Sequence, residues 1–194
     1  NPAIFANSTL WGQVDSLTAL FSLFSVFIFP INYWLSAISL ALGTLIKPQA
    51  AFILPAIIYL FINRKRKFFE LLNYCITGLL VFISGFIPFN NTNNLWQFII
   101  TRLSASANQY PYGSVNAFSF WGIFGFWKTD NITFWIGLGV SIILIIIVTL
   151  IISKKNIKNG EYLVSAFSLL ITFLFMTRMH ERHLLPILAP LLIA

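Results

Sequence analysis

The sequence predicts an all-α fold, a polytopic transmembrane helical bundle. Three observations predict it. Of 194 residues 58% are hydrophobic and only 9% charged, with a mean hydropathy of +0.85, whereas a soluble domain carries about a quarter charged residues. The apolar residues come in continuous runs without dyad alternation, and in lipid such runs satisfy their backbone groups as helices. Finally, seven of the twelve Lys and Arg fall in two short clusters, the pattern of short loops retained on the cytoplasmic side.

The runs fall at about 16–29, 34–46, 50–62, 71–88, 132–153, 162–176 and 184 onward, which gives about seven membrane segments. The two clusters are Arg64-Lys65-Arg66-Lys67, and Lys154-Lys155 with Lys158. Both reach the cytoplasmic side only if the stretch 31–62 is two helices broken at Lys47-Pro48-Gln49. Residues 89–131 and 178–183 then face outward, with the start of the chain. The second helix is short, since 13 residues rise about 20 Å against a hydrocarbon core of about 30 Å. Its end at Lys47 therefore lies below the outer membrane surface, which is tolerated where backbone lines a polar cavity.

In the long outer loop, Asn94 followed by Gln97 has the form of a capping box. Leu95, Trp96, Phe98, Ile99 and Leu103 follow at helical spacing, around Gln97, Thr101 and Arg102, and so predict a helix lying in the interface. Residues 117–127 (AFSFWGIFGFW) are aromatic and Gly-rich and too short to span. They suit an aromatic belt or a platform for a lipid-linked substrate. Without long linkers or internal repeats, residues 1–194 form one domain. The chain opens at Asn1-Pro2 without an initiator Met and stops inside an apolar run, so it is expected to be an internal fragment of a longer protein.

With this topology the unusual polar residues gather on the outer side: Gln13 and Asp15 entering the first helix, Lys47 and Gln49 at the break, Gln109, Tyr110 and Tyr112 in the long loop, and Arg178-Met179-His180-Glu181-Arg182-His183 between two helices. Each has a bland alternative. Asp15 could serve the helix dipole as a cap, Lys47 could snorkel, and the last cluster could be a solvated loop. Dense ionisable content in a chain so poor in charge speaks for a site.

Lys47, Arg102, Arg178 and Arg182 suit a phosphate, which Arg grips bidentately. Asp15 and Glu181 could activate a hydroxyl or orient those cations. His180 and His183, with Glu181, fall short of a metal site without a third placed ligand. No cofactor is implied, and a divalent metal stays open. There is no Gly-rich phosphate loop, Walker motif or Gly-x-Ser-x-Gly elbow, so soluble-nucleotide chemistry is not expected. The net charge of +7 reads as topology, with no nucleic-acid partner. The single Cys75 excludes an intrachain disulfide and a cysteine metal cluster.

The run Asn1-Pro2-Ala3, Asn7-Ser8, Trp11-Gly12-Gln13-Val14-Asp15-Ser16, then Lys47-Pro48-Gln49 with Pro55, then Arg178-Met179-His180-Glu181-Arg182-His183-Leu184-Leu185-Pro186 resembles the GT-C membrane glycosyltransferases. More narrowly, it resembles the prokaryotic relatives of the GPI-anchor mannosyltransferases. The last motif is the most specific, and His183 stands where an aromatic is usual. The resemblance implies an inverting transfer of a sugar, often mannose, from a polyprenyl or dolichyl phosphate to a glycan, lipid or protein acceptor, at the outer face of a prokaryotic plasma membrane. It also implies that Arg178, His180 and Arg182 hold the donor phosphate, that Lys47 and Gln49 line the cavity, and that the principal base precedes Asn1, leaving Asp15 as the best local carboxylate. From another class, a transporter or flippase for an anionic substrate would show paired helix breaks and mid-helix charges. The sequence has one clear break, with its charges towards one face.

Overall fold

A computed structural model of the chain describes Pro2, residues 6–10 and residues 12–194. Asn1, Ala3 and Trp11 of the motif above lie outside the described residues, as do the side chains of Asn7 and Ser8. The protein is mostly helical. Helix α1 (Asp15–Ile28) turns into α2 (Tyr33–Ile46), whose start is fixed by Asn32: its Oδ1 accepts from the N–H of Trp34 at 3.0 Å and of Leu35 at 3.1 Å. Such a cap is worth about 1 kcal/mol. Pro48 stops α2, and the chain resumes as a 3-10 turn (Pro48–Ile53) running into α3 (Leu54–Asn63). The helix break expected at Lys47-Pro48-Gln49 is present.

Helix α4 (Phe68–Ser84) follows the first basic cluster, and α5 (Leu95–Ala107) is capped by Asn94, whose Oδ1 accepts from Gln97 N–H at 3.1 Å. The next excursion carries strand β1 (Ser114–Val115) and a 3-10 turn (Phe120–Phe124). It leads into α6 (Asn131–Lys155) and α7 (Gly160–Phe175). Strand β2 (Met179–His180) pairs in parallel with β1, and a further 3-10 turn (Glu181–Ile187) leads to α8 (Leu188–Ile193).

Contacts at the helix ends sort the bundle into two poles. At one, Ser153 Oγ donates to Asn63 Oδ1 at 3.1 Å, Arg66 lies 5.8 Å over the ring of Tyr33, and Asn159 Nδ2 donates to Ile193 O at 3.2 Å. Both basic clusters therefore share this pole. At the other, Lys47 meets Asp15, and Arg178 reaches Ala107 O at 2.6 Å and Asp130. Residues 181–193 thus return along the whole of α7, antiparallel to it.

Polarity is inverted relative to a water-soluble fold. Ser22, Ser25, Ser36, Ser165, Ser168 and Thr172 are buried between helices, while Phe68, Leu80, Ile132, Ile143 and Ile147 point outward. Small hydroxyl residues at helix interfaces are what lipid surroundings favour, because lipid tails compete with any apolar contact. Ser36 Oγ donates to Ser25 O at 2.7 Å, tying α2 to α1. Gly43 permits the close approach there, since a Cβ would stand 3.0 Å from Phe21 Cβ and 3.1 Å from Ala50 Cβ. Two helices, Phe68–Phe89 and Asn131–Lys155, are long and apolar enough to cross a membrane. Only 6% and 17% of their apolar windows is buried within the chain, so neither is the covered core helix of a soluble protein. Asp15–Ile28, Tyr33–Ile46, Pro48–Asn63 and Gly160–Phe175 are shorter apolar helices.

Candidate functional site

Lys47 is where the site begins. Its backbone is extended (φ −147°, ψ 129°), with its N–H bonded to Gly43 O at 2.9 Å, so the chain leaves α2 without coiling. Its ammonium pairs with the carboxylate of Asp15, the first residue of α1, whose side chain is only 4% exposed. The N-cap position belongs to Val14, whose side chain makes no capping bond. The Asp15 carboxylate meets a cation from a neighbouring helix.

Across from this pair stands the 3-10 turn Glu181–Ile187. The backbone N–H of His180 donates to His183 Nδ1 at 3.2 Å, so the neutral ring carries its proton on Nε2, 3.4 Å from the side-chain amide of Gln49. An amide turned so that Oε1 faces the ring would accept that proton and also satisfy Gln49 Oε1, a buried atom with no other partner. Burial, and then the neighbouring His180, push the His183 ring down to about 3. Burial also lowers His180, with Arg182 adding to the effect. His183 is therefore a neutral ring at physiological pH, set edge-on to His180 with centroids 5.2 Å apart.

Arg178 closes the other flank. It sits in the left-handed region (φ 65°), which non-glycine residues rarely occupy. Its Nε donates to Asp130 Oδ2 at 2.7 Å, Nη2 to Asp130 Oδ1 at 3.2 Å, and Nη1 to Ala107 O at 2.6 Å and Asn108 Oδ1 at 3.2 Å. Thr177 Oγ1 also donates to Asp130, at 2.7 Å, and Arg178 N–H donates to Tyr112 O at 2.9 Å. The loop between α5 and α6 is folded against this segment, with Gly113 N–H on Lys128 O at 2.7 Å and Asp130 N–H on Pro111 O at 3.1 Å. Arg178 thereby spends four of its five guanidinium donors inside the chain.

Lys47, Gln49, Gln109, Tyr110, Arg178, His180 and Arg182 line one open cavity of about 540 Å³. Its lining contains three cations and two histidines and, among the described residues, no carboxylate. A second space of about 20 Å³, room for one water, adjoins Asp15, Lys47, Gln49 and His183. Other expected site residues stand apart. Arg102 lies 5.2 Å over the ring of Phe98 on α5, Tyr112 packs against Trp127 at 5.3 Å, and Gln13 and Glu181 do not line the cavity. Glu181 Oε2 is buried without a hydrogen-bond partner among the described residues. Among the described residues, no group of three or more His, Cys, Asp or Glu could hold a metal.

Sequence reasoning missed Asp130. The chain has five acidic residues, and this one lies just before the apolar run beginning at 132, at the pole that also holds Lys47 and Asp15. That scarcity was the signal. Comparison with protein-family models, curated proteins and solved structures gives no match.

Proposed function

We propose that this chain is part of an integral membrane glycosyltransferase of the GT-C kind, transferring a sugar, with mannose expected, from a polyprenyl-phosphate donor to an acceptor at the outer face of the membrane. In this reading all seven apolar passes cross the bilayer, the basic pole is cytoplasmic, and α5 lies in the outer interface. The observation that carries it is the cavity at the opposite pole, where Lys47, His180 and Arg182 meet without a carboxylate in the lining. A cavity so lined favours an anion, and in a water-poor setting each charge-assisted bond to a phosphate is strong.

As the bond from the sugar to the donor phosphate breaks, negative charge grows on the phosphate oxygen. Lys47 and Arg182 offset that charge, which lowers the barrier only to the extent that they bind the departing phosphate better than the intact donor. Asp15 keeps the Lys47 ammonium in place, Gln49 and His183 form the neutral wall behind it, and Arg178 holds the loop. The apolar surface around Phe120 and Phe175 offers a resting place for the lipid chain. Arg182→Ala and Arg182→Lys should both depress transfer from a polyprenyl-phosphate sugar by about tenfold to more than a hundredfold, since Lys lacks the planar fork. Lys154→Ala, at the basic pole, should not. Parental transfer by well-folded Arg182→Ala protein in nanodiscs overturns the reading.

A further inference from the structure

Arg178 stands between two cavities. Besides the cationic one it lines an open cleft of about 550 Å³, together with Asn108, Thr129, Asp130, Asn131 and Trp135. The charges here cancel, because Asp130 and Arg178 form a bidentate pair. The cleft is therefore not built for a phosphate or for a cation. It does have neutral hydrogen-bonding capacity. Of the five guanidinium N–H groups four are engaged, leaving one on Nη2, and Asp130 Oδ1, accepting only from that nitrogen, keeps a lone pair beside it. Asn108 has its oxygen occupied and its NH₂ available. The side chains of Thr129 and Asn131 make no hydrogen bond among the described residues.

The remaining wall is apolar, made by Ala107, Pro111, Phe134 and the indole of Trp135. Trp135 is 68% exposed and lies one turn beyond Asn131 on the same face of α6. A tryptophan that merely belongs to the interfacial belt has no need of a bidentate ion pair and two side-chain amides lining the same cleft. A flat apolar ring beside paired donors and acceptors without net charge matches one ligand chemistry: a polyol with a C–H face and hydroxyls on adjacent carbons.

We infer that this cleft is a saccharide subsite. It rests on the glycosyl-transfer reading only for its role, which is to seat the acceptor sugar across Arg178 from the donor phosphate.

The test needs no turnover. Protein in nanodiscs is examined by saturation-transfer NMR with methyl α-mannopyranoside, methyl β-glucopyranoside and methyl β-galactopyranoside. At least one should receive saturation from the parental protein. That signal should weaken about tenfold or more in Trp135→Ala, where the stacking surface is lost, survive largely in Trp135→Phe, and be unchanged in Lys154→Ala at the basic pole. Binding of none of the three, or a signal that persists in Trp135→Ala or is lost in Lys154→Ala, overturns the subsite. A protein that binds sugar through Trp135 yet transfers none refutes the proposed activity and leaves the subsite standing. One that transfers but fails the binding test does the reverse.

Discussion

Asp130 holds Arg178 by two hydrogen bonds, at 2.7 and 3.2 Å, from 48 positions earlier in the chain. The carboxylate side chain is 4% exposed and the guanidinium 23%. Breaking a buried pair by removing one partner costs 3–5 kcal/mol, and the partial exposure of Arg178 places this case at about 3. Asp130→Asn should therefore lower the apparent Tm at a matched scan rate and open residues 108–130 to protease. The double variant Asp130→Leu/Arg178→Leu, with no charge left unpaired, should recover part of the loss. Unchanged Tm and proteolysis in Asp130→Asn would show that the pair restrains nothing.

The pairing of Lys47 with Asp15 separates structure from chemistry. Lys47→Met takes the cation from a carboxylate that is almost wholly buried, so its stability should fall by about 3 kcal/mol. Adding Asp15→Asn should restore folding, because the amide has no charge to desolvate. It should not restore transfer, which on the proposed mechanism needs the ammonium. Recovery of both stability and transfer in the double variant would remove Lys47 from the site.

Acid sensitivity should trace to His183. Its pKa in the folded protein is depressed to about 3, against about 6.5 in an unfolded chain. The unfolded state then binds the extra proton between those values, so stability rises with pH through the window and is fully present above about 6.5. His180 shifts in the same direction. His183→Phe keeps a neutral ring and should flatten the dependence of apparent Tm on pH between about 4.5 and 6.5. A slope as steep as the parent's would place the titration elsewhere.

Sidedness is testable with the one native cysteine removed. In a Cys75→Ser background, Asn93→Cys and Lys158→Cys lie at opposite poles of the bundle. An impermeant thiol reagent applied to intact cells should label Asn93→Cys, and should reach Lys158→Cys only after the membrane is opened. Equal labelling of both from outside would refute the proposed orientation.

Much of this was visible in the residues. Pro48 cannot continue a helix, so the break at Lys47 could be read directly. Asn94 announces its helix three residues ahead of the bond it makes. The two basic clusters meet at one pole, as expected from reading both as short basic loops of one bundle. Other features depend on distant partners. Arg178 was expected at the phosphate, but its donors are taken by Asp130, Ala107 and Asn108, and nothing local in the sequence predicts that choice. Asp15 could be a cap or half of an ion pair, and only the approach of α2 to α1, allowed by Gly43, selects the second. The pairing of Ser114 with Met179 and of Val115 with His180 is too short to leave any alternating pattern.

The contact between Gln49 and His183 spans 134 positions, and it bears on biosynthesis. Membrane helices are inserted as they are made, beginning with the N-terminal ones. On the proposed reading, the half of the cavity contributed by Lys47 and Gln49 is made early, while the half contributed by His180, Arg182 and His183 arrives only after α7. Until then the growing polypeptide would hold an unfinished pocket, with the Lys47 ammonium already paired with Asp15. That early partnership would let a basic residue wait in an apolar setting for the rest of its site.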